Sequence, residues 1–129
     1  MTDALIDTQA LLWWLTDDQR LGVAARHIMA TRPLSVSVGS LWEIAIKAQI
    51  GKLDADVTEV ARAVDAQGMK RLMISDTHLA AYQALPRRSD HGDPFDRLLV
   101  SQAQVEGIPI LTSDSKLAPY GVSTIDALQ

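Results

Sequence analysis

A short apolar run that ends in an aspartate and continues as a helix decides the fold class of this chain. Residues 4–15 read Ala4-Leu5-Ile6-Asp7-Thr8-Gln9-Ala10-Leu11-Leu12-Trp13-Trp14-Leu15. The apolar run predicts a buried strand, and the spacing of Leu11, Trp14 and Leu15 at i, i+3 and i+4 predicts a helix after it. Strands that alternate with helices are typical of α/β proteins.

The same alternation continues along the rest of the sequence. Further short strands are predicted at 34–37, 71–74, 108–112 and 121–125, helices at 21–30, 40–49, 56–67, 77–85 and 94–106, and a helical turn at 113–117. Capping residues support the helix starts: Ser40 with Glu43 as a capping box, Asp76, and Asp93 before Pro94. Short apolar strands indicate a parallel sheet covered on both faces. The predicted fold class is therefore α/β, a single three-layer α/β/α domain over residues 1–129 with a short parallel central sheet.

Length and composition restrict the functional classes. The chain has 129 residues, 47% apolar and 22% charged, as in one soluble globular domain. It contains no cysteine, which excludes thiol catalysis, disulfides and thiolate metal sites. The sequence shows neither a signal peptide nor an apolar stretch of membrane-spanning length, so a cytoplasmic protein without a membrane contact is expected. The net charge of −4 argues against a general nucleic-acid binder.

Four carboxylates fall where a parallel α/β sheet builds its binding site. Asp7 and Asp114 directly follow predicted strands, while Glu43 and Asp96 lie near the starts of helices that follow strands. Each of these acids alone also fits a helix cap or a favourable position at a helix N-terminus. Helix capping does not require all four to face the same end of the sheet. Convergence at its carboxyl edge, where ligands bind in such folds, accounts for them together.

Convergence of four acids implies a cation. Two carboxylates about 4 Å apart repel each other by roughly 4 kcal/mol at an effective dielectric constant of about 20. A cluster of four carboxylates therefore requires a positive ion if all are to stay ionised. Oxygen-only sites without His or Cys ligands suit Mg²⁺ or Mn²⁺ rather than Zn²⁺. Such ions activate water and neutralise the charge of a phosphodiester.

Four segments resemble the motifs of one protein family. They are Leu5-Ile6-Asp7-Thr8-Gln9-Ala10-Leu11-Leu12-Trp13-Trp14-Leu15, Ser37-Val38-Gly39-Ser40-Leu41-Trp42-Glu43-Ile44-Ala45-Ile46-Lys47, His91-Gly92-Asp93-Pro94-Phe95-Asp96-Arg97-Leu98-Leu99 and Leu111-Thr112-Ser113-Asp114. In this order they are similar to the motifs of PIN-domain ribonucleases of the VapC toxin type, and the resemblance spans nearly the whole chain. One departure is Gln9, where close relatives often carry His or Asn.

The resemblance implies a function, a site and partners. It implies the toxin of a type II toxin–antitoxin pair, an endoribonuclease that uses metal-activated water and leaves a 5′-phosphate and a 3′-hydroxyl. Asp7, Glu43, Asp96 and Asp114 match the family's acidic quartet, which makes them the implied catalytic residues and ligands of Mg²⁺ or Mn²⁺. A homodimer, an RNA substrate and an antitoxin protein that occupies the groove are also implied. Without these four acids, acidic and basic residues are equal at 12 each. The net charge of −4 therefore equals the charge of the four carboxylates of this site.

Several other residues have two interpretations each. The hydroxyls of Thr8 and Thr112 either orient a water or a ligand carboxylate, or cap the backbone locally. Asp93 is expected to be a helix cap rather than a ligand. Five basic residues either contact the phosphates of an RNA or are ordinary charged surface residues: Lys47, Lys52, Arg87, Arg88 and Arg97.

Histidine and tryptophan residues are assigned to the surface, the core or an interface. His91 is expected to be a solvent-exposed loop residue, although it lies near the acids in sequence. His27 and His78 are expected at the surface or in packing contacts. Trp13, Trp14 and Trp42 lie on apolar helical segments and are expected in the core or an interface rather than stacked on bases.

Two other functions fit parts of the pattern. A phosphatase could use a strand-end aspartate as its nucleophile. The haloacid-dehalogenase pattern, however, requires a second aspartate two residues after Asp7, where the chain has Gln9, and no phosphate-binding Walker loop is present. A PIN-like module that binds protein or RNA without catalysis is the other alternative. Loss of one quartet acid would favour it, and all four are present.

Overall fold

The computed structural model describes residues 3–129, so the first two residues of the predicted domain lie outside the described residues. Its elements in chain order are β1 (Ala4–Ile6), α1 (Thr8–Leu15), α2 (Val23–Thr31), β2 (Leu34–Ser37), α3 (Val38–Gln49), α4 (Val57–Ala66), β3 (Lys70–Leu72), α5 (Asp76–Ala84), α6 (Pro94–Glu106), β4 (Ile110–Thr112), a 3₁₀ turn (Ala118–Tyr120) and β5 (Thr124–Asp126). No helix in this part of the chain is long and apolar enough to cross a bilayer.

The five strands form one parallel sheet in the order β3-β2-β1-β4-β5. The central strand β1 pairs with β2 on one side, where Ile6 lies opposite Val36, and with β4 on the other, where Ile6 lies opposite Leu111. The strand order therefore reverses beside β1. In open parallel sheets, the crevice at such a switch point is where ligands bind, and Asp7 is the residue that follows β1 at this point.

Helices cover both faces of the sheet and enclose two hydrophobic cores. Successive side chains of a strand point to opposite faces, so Ala4 and Ile6 enter one core and Leu5 enters the other. The first core contains Leu11, Ile44 and other side chains of α1 to α4, and the second contains α6 side chains. This arrangement confirms the predicted three-layer α/β/α fold.

Two predicted helix caps are wrong in detail. The proposed capping box of Ser40 and Glu43 does not form, because β2 passes into α3 without a loop and the last strand residue, Ser37, becomes the cap. Glu43 therefore lies in the second turn of α3. Helix α5 is capped by Ser75 rather than Asp76, in a capping box with His78. The predicted start of α6 at Asp93 and Pro94 is confirmed, as is its end, since Gly107 adopts a left-handed conformation with φ of 66°.

Candidate metal centre

Asp7 is fixed through both carboxylate oxygens at the end of β1. Its Oδ1 accepts a hydrogen bond of 2.8 Å from the backbone N–H of Ala10, which makes it the N-cap of α1. Its Oδ2 accepts a bond of 2.6 Å from the hydroxyl of Thr112, at the end of β4. Only 6% of Asp7 is exposed. The residue is therefore both a cap and part of the edge at which strands β1 and β4 end.

Glu43 reaches the same edge from α3. It is buried, and its Oε1 accepts a hydrogen bond of 2.6 Å from the hydroxyl of Thr8. Its Oε2 lies 2.9 Å from Nζ of Lys47, one helical turn further on. Thr8 and Thr112 thus each hold one carboxylate, and neither acts only as a backbone cap.

Asp96 and Asp114 face each other across His91. Nε2 of His91 lies 3.4 Å from Oδ2 of Asp96 and 3.9 Å from Oδ2 of Asp114. Asp93 is the N-cap of α6 and accepts hydrogen bonds from the backbone of Phe95 and Asp96, so the side chain of Asp96 is not needed to cap the helix. One ligand atom from each of His91, Asp96 and Asp114 lies within 4.8 Å of the others, a spacing that a metal ion could bridge.

The prediction that His91 is a solvent-exposed loop residue is wrong. Only 6% of the residue is exposed, because its loop folds back against Tyr120. Nδ1 of His91 lies 2.8 Å from the hydroxyl of Tyr120, and the two rings meet edge to face. The position of His91 close before Asp96 was a sequence signal for its proximity to the site. Tyr120 carried no such signal, because its part in the site depends on a contact 29 residues distant in sequence.

Three of the four acids line one cleft of about 360 Å³. Glu43, Asp96 and Asp114 lie in its wall together with residues 8, 9, 12, 47, 52, 53, 93 and 113. Asp7 is not part of its lining, but it interacts electrostatically with Glu43, Asp96 and Asp114. The structure therefore brings together all four acids that the sequence analysis singled out.

Two of the four acids, Asp7 and Asp96, lie where the ionised form of the carboxyl is disfavoured. Burial raises the pKa of Asp7; the hydrogen bonds from Thr112 and Ala10 oppose this effect, and the charges of Glu43 and Asp114 add to it. Burial also raises the pKa of Asp96 to about 6, with further increases from nearby carboxylates, and the hydrogen bond with His91 opposes these increases. Raised pKa values show that negative charge is unfavourable here without a cation.

Positive charge near the cleft comes from lysines rather than arginines. Lys47 and Lys52 line it, and the hydrogen bond to Glu43 raises the pKa of Lys47. Arg97 instead donates to the carbonyl of Pro86 at 3.0 Å and to the hydroxyl of Tyr120 at 2.9 Å. Arg88 donates to the carbonyl of Lys116 at 2.8 Å and is paired with Asp90. These arginines brace the loop before α6 and do not line the cleft, and Arg87 is likewise outside its lining.

The other aromatic and histidine residues lie largely as expected. Trp13 is buried in the core, Trp14 is half-buried against it, and His78 is buried in a contact with Glu106. Trp42 is 60% exposed and meets Phe95 edge to face, with ring centroids 5.2 Å apart. Trp42 is therefore outside the core, which leaves the interface as its predicted place.

Comparison with known proteins agrees with this fold. The PIN domain family matches residues 4–127. Ribonuclease VapC22 of Mycobacterium tuberculosis (strain ATCC 25618 / H37Rv) is 30% identical over 122 residues, which cover 93% of each chain. The chain therefore belongs to the PIN-domain family and to its VapC type.

Solved structures share the fold at low sequence identity. VapBC2 from Rickettsia felis, bound to a DNA fragment from its promoter, matches with a TM-score of 0.66 and 13% identity, over 97% of this chain and 98% of that chain. VapBC-5 from Mycobacterium tuberculosis, a member of the VapBC family of toxin–antitoxin systems, matches with a TM-score of 0.64 and 16% identity, over 98% and 99%.

Proposed function

We propose that this protein is the toxin of a toxin–antitoxin pair and a divalent-metal-dependent endoribonuclease. The observation that carries the proposal is the convergence of Asp7, Glu43, Asp96 and Asp114 at the switch point of the sheet, two of them with raised pKa values. A relative 30% identical is named a ribonuclease, and structural neighbours are toxin–antitoxin complexes. The presence of the whole quartet favours catalysis over a module that only binds.

The donor set fits Mg²⁺ or Mn²⁺. Four carboxylates from different elements supply oxygen ligands, which both ions prefer. In the proposed site, Asp96 and Asp7 are the principal ligands, and Glu43 and Asp114 complete the set, directly or through water. A bound divalent ion would lower the pKa of a water molecule and neutralise charge on a phosphodiester.

The chain's own residues orient these ligands and receive the RNA. Thr112 holds the Asp7 carboxylate, and Thr8 holds that of Glu43. Lys47 offsets the charge of Glu43, and Lys52 lines the cleft wall. In this proposal Lys52 contacts a phosphate of the substrate. The expected products are a 5′-phosphate and a 3′-hydroxyl, as the resemblance implies.

The cleavage reaction is tested with the full chain purified free of antitoxin. Structured RNA is incubated with Mg²⁺, with Mn²⁺ and with EDTA, and the fragment ends are identified by their reactivity with a kinase and a ligase. Cleavage that requires the ion and leaves 5′-phosphates supports the proposal. Cleavage that persists in EDTA, or no cleavage with either ion across tRNA and rRNA substrates, contradicts it.

The antitoxin is expected to bind over the same cleft. An arginine in the antitoxin would form charge-assisted hydrogen bonds with the carboxylates that otherwise hold the metal. Antitoxin and Mn²⁺ should therefore compete, and metal affinity measured in the toxin–antitoxin complex should be lower than in the free toxin. Equal affinities would show that the antitoxin binds elsewhere.

Removal of the Thr112 hydroxyl is expected to weaken metal binding. In Thr112→Val, Oδ2 of Asp7 loses its bond of 2.6 Å and the backbone N–H of Asp114 loses its partner. Loss of such an outer partner typically costs about 10–100-fold in metal affinity. The measurement is calorimetric titration with Mn²⁺. Thr112→Ser keeps the hydroxyl and should retain most of the affinity, whereas equal affinities for all three proteins would contradict this role.

Replacement of Trp42 tests the homodimer that the resemblance implies. Its exposed ring borders an apolar groove of about 230 Å³ that also contains Leu79, Tyr82 and Phe95. If a second copy covers this face, Trp42→Glu should shift the sedimentation coefficient from dimer to monomer at micromolar concentration, because a charge would be buried without a partner. Val23→Glu provides a matched control, since Val23 is 84% exposed on α2. A wild-type monomer, or a Trp42→Glu dimer of unchanged stability, would contradict this interface.

A further inference from the structure

His91 lies between a phenol and two acids and has a partner at each ring nitrogen. Nδ1 is 2.8 Å from the hydroxyl of Tyr120, and Nε2 is 3.4 Å from Oδ2 of Asp96. This geometry permits two roles. If Nδ1 carries the proton, the free electron pair of Nε2 can bind a metal. If Nε2 carries the proton, this nitrogen donates to Asp96 and has no electron pair for a metal, while Nδ1 is the acceptor.

Arg97 distinguishes between these two roles. Its Nη1 donates to the hydroxyl oxygen of Tyr120 at 2.9 Å, since a guanidinium has donors and no acceptor. The hydroxyl oxygen thus already accepts one hydrogen bond, and its own proton requires an acceptor, because Tyr120 is only 8% exposed. Within the described part of the chain, Nδ1 of His91 is the acceptor recorded at hydrogen-bonding distance from it. Tyr120 therefore donates to Nδ1, and in the neutral ring the proton lies on Nε2.

From this chain of hydrogen bonds we infer that His91 is a positioning residue for Asp96 and not a metal ligand, with its tautomer set by Tyr120 and Arg97. Nε2–H donates to Oδ2 of Asp96 and holds this carboxylate beside Asp114. The same proton prevents Nε2 from binding an ion, so the centre offers oxygen ligands even though an imidazole lies within reach. The oxygen-only donor set proposed for Mg²⁺ or Mn²⁺ then depends on Tyr120 and Arg97, which fix the tautomer of His91 from outside the acidic quartet.

The loop before α6 is braced in the position that this role requires. Residues Arg88 and His91 form an antiparallel bridge, and Arg88 donates to the carbonyl of Lys116 at 2.8 Å. The guanidinium of Arg88 also lies over the ring of Tyr120, 4.8 Å from its centroid. The loop is thus bonded to the segment that carries Tyr120. The ring of His91 is fixed by Tyr120 at Nδ1 and by Asp96 at Nε2.

The tautomer is measured directly in the metal-free protein. Long-range ¹H–¹⁵N correlation spectra of the histidine rings, recorded at a pH where the rings are neutral, separate the Nε2–H and Nδ1–H forms. His78 is an internal reference, since its Nδ1 accepts from the backbone N–H of Ser75 at 3.0 Å and its proton must lie on Nε2. His91 is expected to show the same Nε2–H pattern, and to lose this preference in Tyr120→Phe. An Nδ1–H pattern in the wild-type protein would overturn the inference.

The metal-bound protein gives a second and separate readout. Pulsed electron paramagnetic resonance of bound Mn²⁺ detects a coordinated imidazole nitrogen, and none is expected in the wild-type protein. A nitrogen coupling that disappears in His91→Gln would overturn the inference. In Tyr120→Phe, which keeps the ring and removes one hydroxyl, the proton is no longer confined to Nε2, so a nitrogen coupling from His91 to Mn²⁺ is expected to appear; ring spectra and Mn²⁺ coupling both unchanged from the wild type would show that Tyr120 does not set the tautomer.

The importance of Asp96 as a ligand rests on the proposed function, but the tautomer does not. If Mn²⁺ fails to bind at all, the proposed metal centre fails while the ring spectra still report on His91. If Mn²⁺ binds and the ring spectra show the other tautomer, the metal centre stands and the role assigned to His91 fails.

Discussion

Replacement of Asp96 by asparagine is expected to abolish RNA cleavage while leaving the protein folded. Asparagine keeps the size of the side chain but removes the charge that a divalent ion requires. Asp96 is a proposed direct ligand, so the loss of activity should exceed the roughly 10–100-fold typical of an outer partner. The start of α6 should be unaffected, because Asp93 caps it. The measurements are the rate of RNA cleavage under saturating Mg²⁺ and the free energy of unfolding without metal.

The metal-free Asp96→Asn protein should be at least as stable as the wild type, because one of several mutually repelling carboxylates is removed. Asp76→Asn is the matched control, since Asp76 is exposed at the start of α5 and does not line the cleft. It should cleave RNA at the wild-type rate. Full activity of Asp96→Asn would show that Asp96 is not a ligand, whatever else the site contains.

The same test at Asp7 requires asparagine rather than alanine. Asp7 caps α1 through Ala10 and accepts from Thr112, so alanine would remove the cap together with the charge. Loss of such a cap costs typically about 1 kcal/mol, whereas asparagine caps as well as aspartate. Asp7→Asn should therefore be inactive and well folded, and Asp7→Ala inactive and less stable. Similar stability of the two variants would show that the cap contributes little.

Affinity for a divalent ion is expected to fall steeply below pH 6. Burial, with help from Asp93, raises the pKa of Asp96 to about 6, and a ligand must be ionised to bind. Affinity should therefore decrease about tenfold per pH unit for this one proton. Burial raises the pKa of Asp7 as well, and this makes the decrease steeper. Calorimetric titration with Mn²⁺ between pH 5 and pH 8 measures it, and an affinity independent of pH across this range would contradict the prediction.

As the pH decreases, the free energy of unfolding of the metal-free protein should increase, whereas its affinity for the ion decreases. A carboxyl whose pKa is raised by folding stabilises the folded state fully below its ordinary pKa of 3.8, and this contribution is lost as the pH rises through about 6. For Asp96 the loss is on the order of 1–2 kcal/mol after allowance for its partial exposure. Urea denaturation in EDTA should show this component in the wild type and not in Asp96→Asn. Hydrogen bonds with Arg20 lower the pKa of Asp18 to about 2, so Asp18 affects the pH dependence of stability only at lower pH.

Local signals in the sequence were sufficient for the elements and for the choice of acids. A period of 3.6 residues, an apolar run of three residues and an Asp-Pro step each act within one turn of helix or one short strand, so α1, β1 and the start of α6 could be predicted from neighbouring residues. The four acids followed from the rule that ligands bind at the carboxyl ends of parallel strands. Local patterns were less reliable where two elements share a residue, as at Ser37, which ends β2 and caps α3.

The sequence by itself thus determined the fold class and the four acids of the candidate centre. Only the tertiary structure decided the partners of those acids. Thr112 meets Asp7 across 105 residues, Thr8 meets Glu43 across 35, and Tyr120 meets His91 across 29. Such pairs depend on the strand order and on how the loops pack, and neither is encoded in a short window of residues. His91 was therefore expected in solvent, although packing against Tyr120 and Asp96 buries it.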